Sequence, residues 1–216
     1  MNDDTGSIPE RCVPRPRASR NRRPAPDRES TAGSVATLRA IIERERRARP
    51  RRACRAAAAG LRDVLLEARL VRPGGCVALY VSRPDEPGTH LLRLALRRAG
   101  VPVLLSTFEG AGGSRWVLDG PAVAAPTRQQ GHTLAEAGLI VIPALAVDTL
   151  GHRLGRTTGS VAAALQGADP MASIMAAVFD TELYDAAVES VPVEPGGLTV
   201  WQVVTPSRVV TLAGVR

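Results

Sequence analysis

The sequence predicts an α/β protein: a mainly parallel central sheet covered by helices on both faces, in a Rossmann-like three-layer architecture. Three observations carry this expectation. The 216 residues fit one domain of ordinary size with tails, enough to bury a self-sufficient core. Apolar residues make up 44% of the chain and aromatics only 3%, so the core must be built from Ala, Val, Leu and Ile. Short apolar runs alternate with amphipathic segments over residues 76–205, as parallel strands joined by helical crossovers require.

Taken in order, residues 1–33 mix Pro, Arg, Ser and Asp with few apolar side chains. They cannot recover the entropy lost on ordering and are expected to form a disordered tail, leaving 34–216 as a single domain. Ser34 is placed to cap a helix whose apolar residues Val35, Leu38, Ile41 and Ile42 recur at helical spacing, with Pro50 as a break. A second helix carries Cys54, Ala58, Leu61, Leu65 and Ala68 on one face and ends at "RPGG". "CVALYVS" (76–82) reads as a strand, "HLLRLALRRAG" (90–100) as an amphipathic helix stopped by Gly100, and "VPVLLS" (101–106) as a strand. "LIVIPALAVD" (139–148) reads as a buried strand with its exit loop. "SVAAALQG" then reads as a helix, and "SIMAAVF" (173–179) and "LTVWQVVT" (198–205) as strands.

Ligands of such sheets bind beyond the carboxyl ends of the strands. That rule selects "SRPDEPGTH", "PALAVDTLGHRLGRTTG" and "TPSR". Within the second, "GHRLGRTTGS" (151–160) has two readings: a loop that holds phosphate, or a hinge whose glycines merely permit positive φ. Asp148, at the end of the strand-exit segment, is placed to cap a turn.

Every basic residue is Arg, and the charge is uneven. Residues 1–56 hold 15 Arg against 7 acids, a net +8, whereas the remainder is close to neutral within an overall +7. Arg44, Arg46, Arg47, Arg49, Arg51 and Arg52 form a dense stretch. Without interleaved aromatics or a binding motif, it reads as a helical face partly paired with Glu43 and Glu45, ahead of a nucleic-acid footprint. Cys12, Cys54 and Cys76 have no paired spacing, so neither disulfides nor a zinc site are indicated and a cytoplasmic setting is expected. No run is long and apolar enough for a membrane span. His90, His132 and His152 show no metal spacing and no nucleophile partner.

The order of motifs resembles the 5-formyltetrahydrofolate cyclo-ligase family over roughly residues 35–212. The carrying residues are "LRAIIERERR", "YVSRPDEPGT", Trp116 before "GPAVAAP", "IPALAVDTLGHRLGRTTG" and "VPVEPGGLTVWQVVTP". Departures accompany the matches. Val35 stands at the family's Lys, Ala125 at its Glu, and Thr157 and Thr158 at two glycines of its triplet. Ser160, Val161 and Ala162 replace Tyr-Tyr-Asp, and Gly196 and Gly197 replace His-Asp.

The resemblance implies an ATP-driven conversion of 5-formyltetrahydrofolate to 5,10-methenyltetrahydrofolate, with ATP and Mg²⁺ as cofactors. Phosphoryl transfer of this kind is mostly positioning and charge neutralisation. It implies that Arg153 and Arg156 serve catalysis, and that Arg39, Gly155, Thr157, Thr158, Gly159 and Ser160 hold the nucleotide. Glu86, Thr89 and Trp116 would lie on the folate side, and Asp148 would be the remaining carboxylate for a metal, since Ala162 cannot be a ligand. The same residues have plain readings: Glu86 and Asp85 as solvated loop charges, Thr89 as the cap of the helix at His90, and Trp116 as packing. The expected partners are a nucleotide and a folate-like molecule, on a monomer or weak dimer. The alternatives are a paralogue that binds folate or nucleotide without turnover, and a nucleic-acid partner using residues 1–56.

Overall fold

The computed structural model describes residues 28–68, 75–106, 115–120, 133–157, 159–194 and 196–212. The expected tail is outside them up to residue 27, as are Thr158 and Ala125. The first helix, α1, runs Arg28–Ala48, so Ser34 lies inside it instead of capping it. Pro50 ends that run and opens α2 (Arg51–Glu67), because the ring fixes φ without needing an N–H at the first turn. Ala58, Leu61 and Leu65 form the buried face of α2, as their spacing requires.

Strand β1 (Cys76–Tyr80) is buried at all five residues. It is followed by α3 (His90–Arg98) and β2 (Val103–Ser106). Gly100, at φ 71°, lets α3 stop in a Schellman motif, with Val101 N–H on Leu96 O at 2.9 Å and Gly100 N–H on Arg97 O at 3.1 Å. Then come β3 (Val117–Leu118), β4 (Ala137–Pro143), β5 (Ala146–Asp148) and β6 (Arg153–Leu154). Helix α4 (Ser160–Ala164), β7 (Ser173–Ala177), β8 (Leu183–Tyr184), β9 (Gln202–Val204) and β10 (Val209–Thr211) complete the chain order.

The main sheet has the order β10-β9-β7-β4-β1-β2-β3. Its five inner strands are parallel, and β3 and β10 add antiparallel edges. Successive strand side chains point to opposite faces. Val77, Leu79, Leu139, Val141, Met175 and Ala177 therefore pack with Leu61 and Leu65 of α2 and Leu92 and Leu96 of α3. Ala78, Ile140, Ile142, Ala176 and Val203 pack in the opposite core with Val161 of α4. The expected layers are present.

Segment 139–148, expected to be one strand and its exit, holds two strands in different sheets. β5 belongs to a small sheet ordered β6-β5-β8. Against it sits α1, with Val35 and Ile42 buried among Leu145, Ala146, Leu154 and Val191, while Ile41 faces outward. Arg46 of α1 is 2% exposed and grips Glu182 with two bonds of 2.8 and 2.6 Å, adding a third to Ala144 O at 2.7 Å. A bidentate carboxylate partner is what allows a guanidinium to be buried there.

The chain leaves β1 toward β2 on one side and returns to β4 on the other, so the direction of winding reverses between β1 and β4. Such a reversal leaves a crevice beyond the strand ends.

Candidate functional site

A cleft of about 500 Å³, counting its mouth, opens at this reversal. The ends of β1 (Tyr80, Val81) and β4 (Pro143, Ala144) form its floor, and Arg83, Glu86, Arg153, Arg156, Thr157 and Ser160 furnish its polar groups. Glu86 and Arg153, expected on the folate and phosphate sides respectively, therefore share one cavity.

Each group is held by a local cause. The turn after β1 folds back so that Glu86 Oε2 accepts Arg83 N–H at 2.9 Å, and only 8% of the residue is exposed. It is not a solvated loop charge. The Tyr80 hydroxyl donates to Pro87 O and tightens the same turn. Burial, reinforced by the Glu86 charge, pushes the Tyr80 phenol well above its ordinary value. Arg153 extends from the β5–β6 hairpin and donates to Pro143 O through Nε (3.1 Å) and Nη2 (2.6 Å). Desolvation pushes its guanidinium down to about 10, against the pull of Glu194, so it stays charged at neutral pH. Gly155 fits closely beneath it: a Cβ there would sit 3.0 Å from both terminal Arg153 nitrogens and 3.1 Å from Thr157 O, so a larger residue would have to push them aside.

Arg156 is engaged more fully. Nη1 meets Glu43 at 2.9 Å, Nη2 meets Asp85 at 2.9 Å, and Nε lies 3.7 Å from Glu86. Arg39 lies behind this loop, donating to Gly155 O at 3.0 Å and to Glu194 at 2.8 Å. Gly159 turns into α4 at φ 77°, and Thr157 Oγ1 lies 2.8 Å from Ser160 Oγ. Of the expected residues, Glu86, Arg153, Arg156, Thr157 and Ser160 thus line the cleft; Arg39 bonds to Gly155 O in the loop that carries Arg156, and Gly159 turns that loop into α4.

Three residues are placed otherwise. Asp148 is fully buried and accepts Leu150 N–H (3.0 Å), His152 N–H (2.9 Å), His152 Nδ1 (2.9 Å) and Val191 N–H (3.0 Å). Four donors take up the lone pairs of its two oxygens, so it anchors the hairpin turn and has no open position for a metal. Thr89 donates its hydroxyl to Tyr80 O at 2.7 Å, so it neither caps α3 through its side chain nor lines the cleft. Trp116 packs against the opposite core and donates its indole N–H to Ala164 O at 2.8 Å, so it serves the packing and is not among the cleft-lining residues. Among the described residues, no group of three or more His, Cys, Asp or Glu is arranged to hold a metal.

Glu43, Asp85 and Glu194 emerge as partners that sequence reasoning missed. Glu194 had a signal, since it fills the glutamate position of the resembled Pro-x-Glu motif. Glu43 had none beyond its place one turn after Arg39.

Comparisons with known proteins identify the family. The sequence pattern of the 5-formyltetrahydrofolate cyclo-ligase family matches residues 32–206. A 5-formyltetrahydrofolate cyclo-ligase of Mycolicibacterium smegmatis is 33% identical over 190 residues, covering 81% of this chain and 95% of that protein. The NMR structure of Aquifex aeolicus 5,10-methenyltetrahydrofolate synthetase superposes with a TM-score of 0.68 at 19% identity, covering 84% of this chain and 94% of the other. A Mycoplasma pneumoniae 5,10-methenyltetrahydrofolate synthetase gives 0.62 at 11% identity, covering 80% and 98%. At those identities the likeness is one of fold. The pattern match spans most of the chain, and its residues meet in one cleft: the chain belongs to the 5-formyltetrahydrofolate cyclo-ligase family.

Proposed function

We propose that the protein is an ATP-dependent 5-formyltetrahydrofolate cyclo-ligase producing 5,10-methenyltetrahydrofolate. The observation that carries this reading is the meeting of Glu86 with Arg153 and Arg156 in one cleft at the tips of β1 and β4. In the reaction, the formyl oxygen takes the terminal phosphoryl group of ATP. The second folate nitrogen then attacks the activated carbon, and phosphate departs with that oxygen. Negative charge accumulates on the transferred group, and fixed guanidinium groups in a half-closed cleft offset it without reorganising. Arg153 supplies one permanent cation at neutral pH. Glu86, aimed into the same space, is an acceptor for the amine groups of a pterin.

Mg²⁺ finds no protein ligand set among the described residues. Asp148 is saturated by its own loop, and Ala162 offers no oxygen. No step of the reaction is therefore assigned to a protein-held metal.

A second reading, binding without turnover, is favoured by one observation. Val35, at the family's Lys, is 5% exposed in the apolar cluster under α1, so that cation is replaced by packing. Incubation with 5-formyltetrahydrofolate, ATP and Mg²⁺ separates the two: methenyl absorbance grows if the first holds. A flat trace beside an active family enzyme, with folate binding intact by calorimetry, establishes the second.

A further inference from the structure

We propose that the α1–α2 junction is a second oxyanion site that takes a phosphate-bearing small molecule. A groove of about 1060 Å³, counting its open mouth, lies there. Among the described residues, Arg46, Arg47, Arg49, Arg51 and Arg55 line it, against one carboxylate, Asp85. That carboxylate is already bonded to Arg156 at 2.9 Å.

Two of these arginines each keep a buried donor without an acceptor. Arg46 is 2% exposed, and its Nε and Nη2 are spent on Glu182 and Ala144, but Nη1 is buried without an acceptor. Arg49 Nε is likewise buried without one, its guanidinium stacked 3.8 Å from the centroid of Phe179. Buried donors are normally satisfied, so two beside one cavity point to an acceptor that arrives from outside.

The backbone supplies more. Helix α2 starts at the groove with no side-chain cap at Pro50 and no acid in its first turn. The first N–H groups of a helix have no acceptor within it and carry the positive end of its dipole. An acceptor-only group with several oxygens satisfies these demands together, and the guanidinium fork matches phosphate in particular. A nucleic-acid strand fits less well, since Phe179, the aromatic ring at hand, is already covered by Arg49.

The groove and the cleft are separate chambers divided by one turn: Arg83 and Glu86 face the cleft, whereas Pro84 and Asp85 line the groove. Calorimetric titration of the full chain with inorganic phosphate at about 0.15 M NaCl tests the assignment, since screening there suppresses diffuse attraction. An Arg153→Gln background removes a cleft cation and leaves the groove intact. One saturable equivalent is expected in that background, weakened about tenfold or more by Arg49→Gln with Arg55→Gln, a loss near 1.4 kcal/mol. Should Arg49→Gln loosen Phe179, the exposed pair Arg51→Gln and Arg55→Gln must still weaken binding. No saturable binding, or binding that both double variants retain in full, overturns the site. A single-stranded oligonucleotide that displaces phosphate with a steep salt dependence overturns its small-molecule character.

Discussion

On the proposed function, Glu86 is the residue on which folate recognition turns. Glu86→Gln keeps an oxygen for Arg83 N–H but removes the cleft charge proposed to meet the pterin. It is expected to raise KM for 5-formyltetrahydrofolate about tenfold, or ~1.4 kcal/mol, with kcat nearly unchanged; steady-state kinetics check this. Tyr80 makes a different prediction. An unfolded phenol ionises near pH ~10, whereas the buried one is held neutral well above that, so the unfolded state binds fewer protons as pH rises past ~10 and stability falls. Arg153 acts oppositely in this range, since its folded value of about 10 lies below the ordinary one, but wild type and Tyr80→Phe share that contribution. The variant loses about 1 kcal/mol at pH ~8 through the missing bond to Pro87, and the gap narrows toward pH ~11 in urea melts. At this scale Glu86 and Arg153 were legible in the sequence because each lies in a motif just beyond a strand. Asp148 was not: a carboxylate after a strand looks alike whether it meets a metal or four of its own loop's donors. Glu43 and Asp85 looked like solvent-facing charges because their partner, Arg156, lies far off in the sequence.

Elements long enough to show a period were readable, and short ones were not. β1, β4 and β7 are apolar runs of five to seven residues, and α2 and α3 carry clear buried stripes. β3, β6 and β8 have two residues each and exist only through their neighbours, so no alternation announces them. The start of α1 was placed late for the opposite reason: polar residues 28–33 extend a helix whose stability comes from Val35 and Ile42 further on. Close packing between elements was also hidden. A Cβ on Gly60 of α2 would lie 2.2 Å from Pro206 O, in the turn between β9 and β10. Gly60→Ala is therefore expected to destabilise by about 1–3 kcal/mol, although Ala favours helix by ~1 kcal/mol. Gly33→Ala in α1 meets nothing within 4 Å and is expected to stabilise by about 0.5–1 kcal/mol. Thermal melts with opposite signs check the pair.

For the whole molecule, the parallel sheet dictates where chemistry sits, and the antiparallel edges β3 and β10 finish it on both sides. The cleft is assembled from the ends of β1 and β4, the β1–α3 turn and the β6–α4 loop, and Arg156 ties that loop to the turn and, through Glu43, to α1 behind it. Its two short bonds join positions 113 and 71 residues apart in sequence. They behave as removable stitches closing two long loops of the chain. Cutting both at once with Arg156→Ala is expected to speed amide hydrogen exchange around residues 43, 85 and 156 in concert, leaving β7 as slow as before. Mass-resolved exchange reads this directly. Acceleration confined to the loop around 156 would mean that each segment is fastened independently.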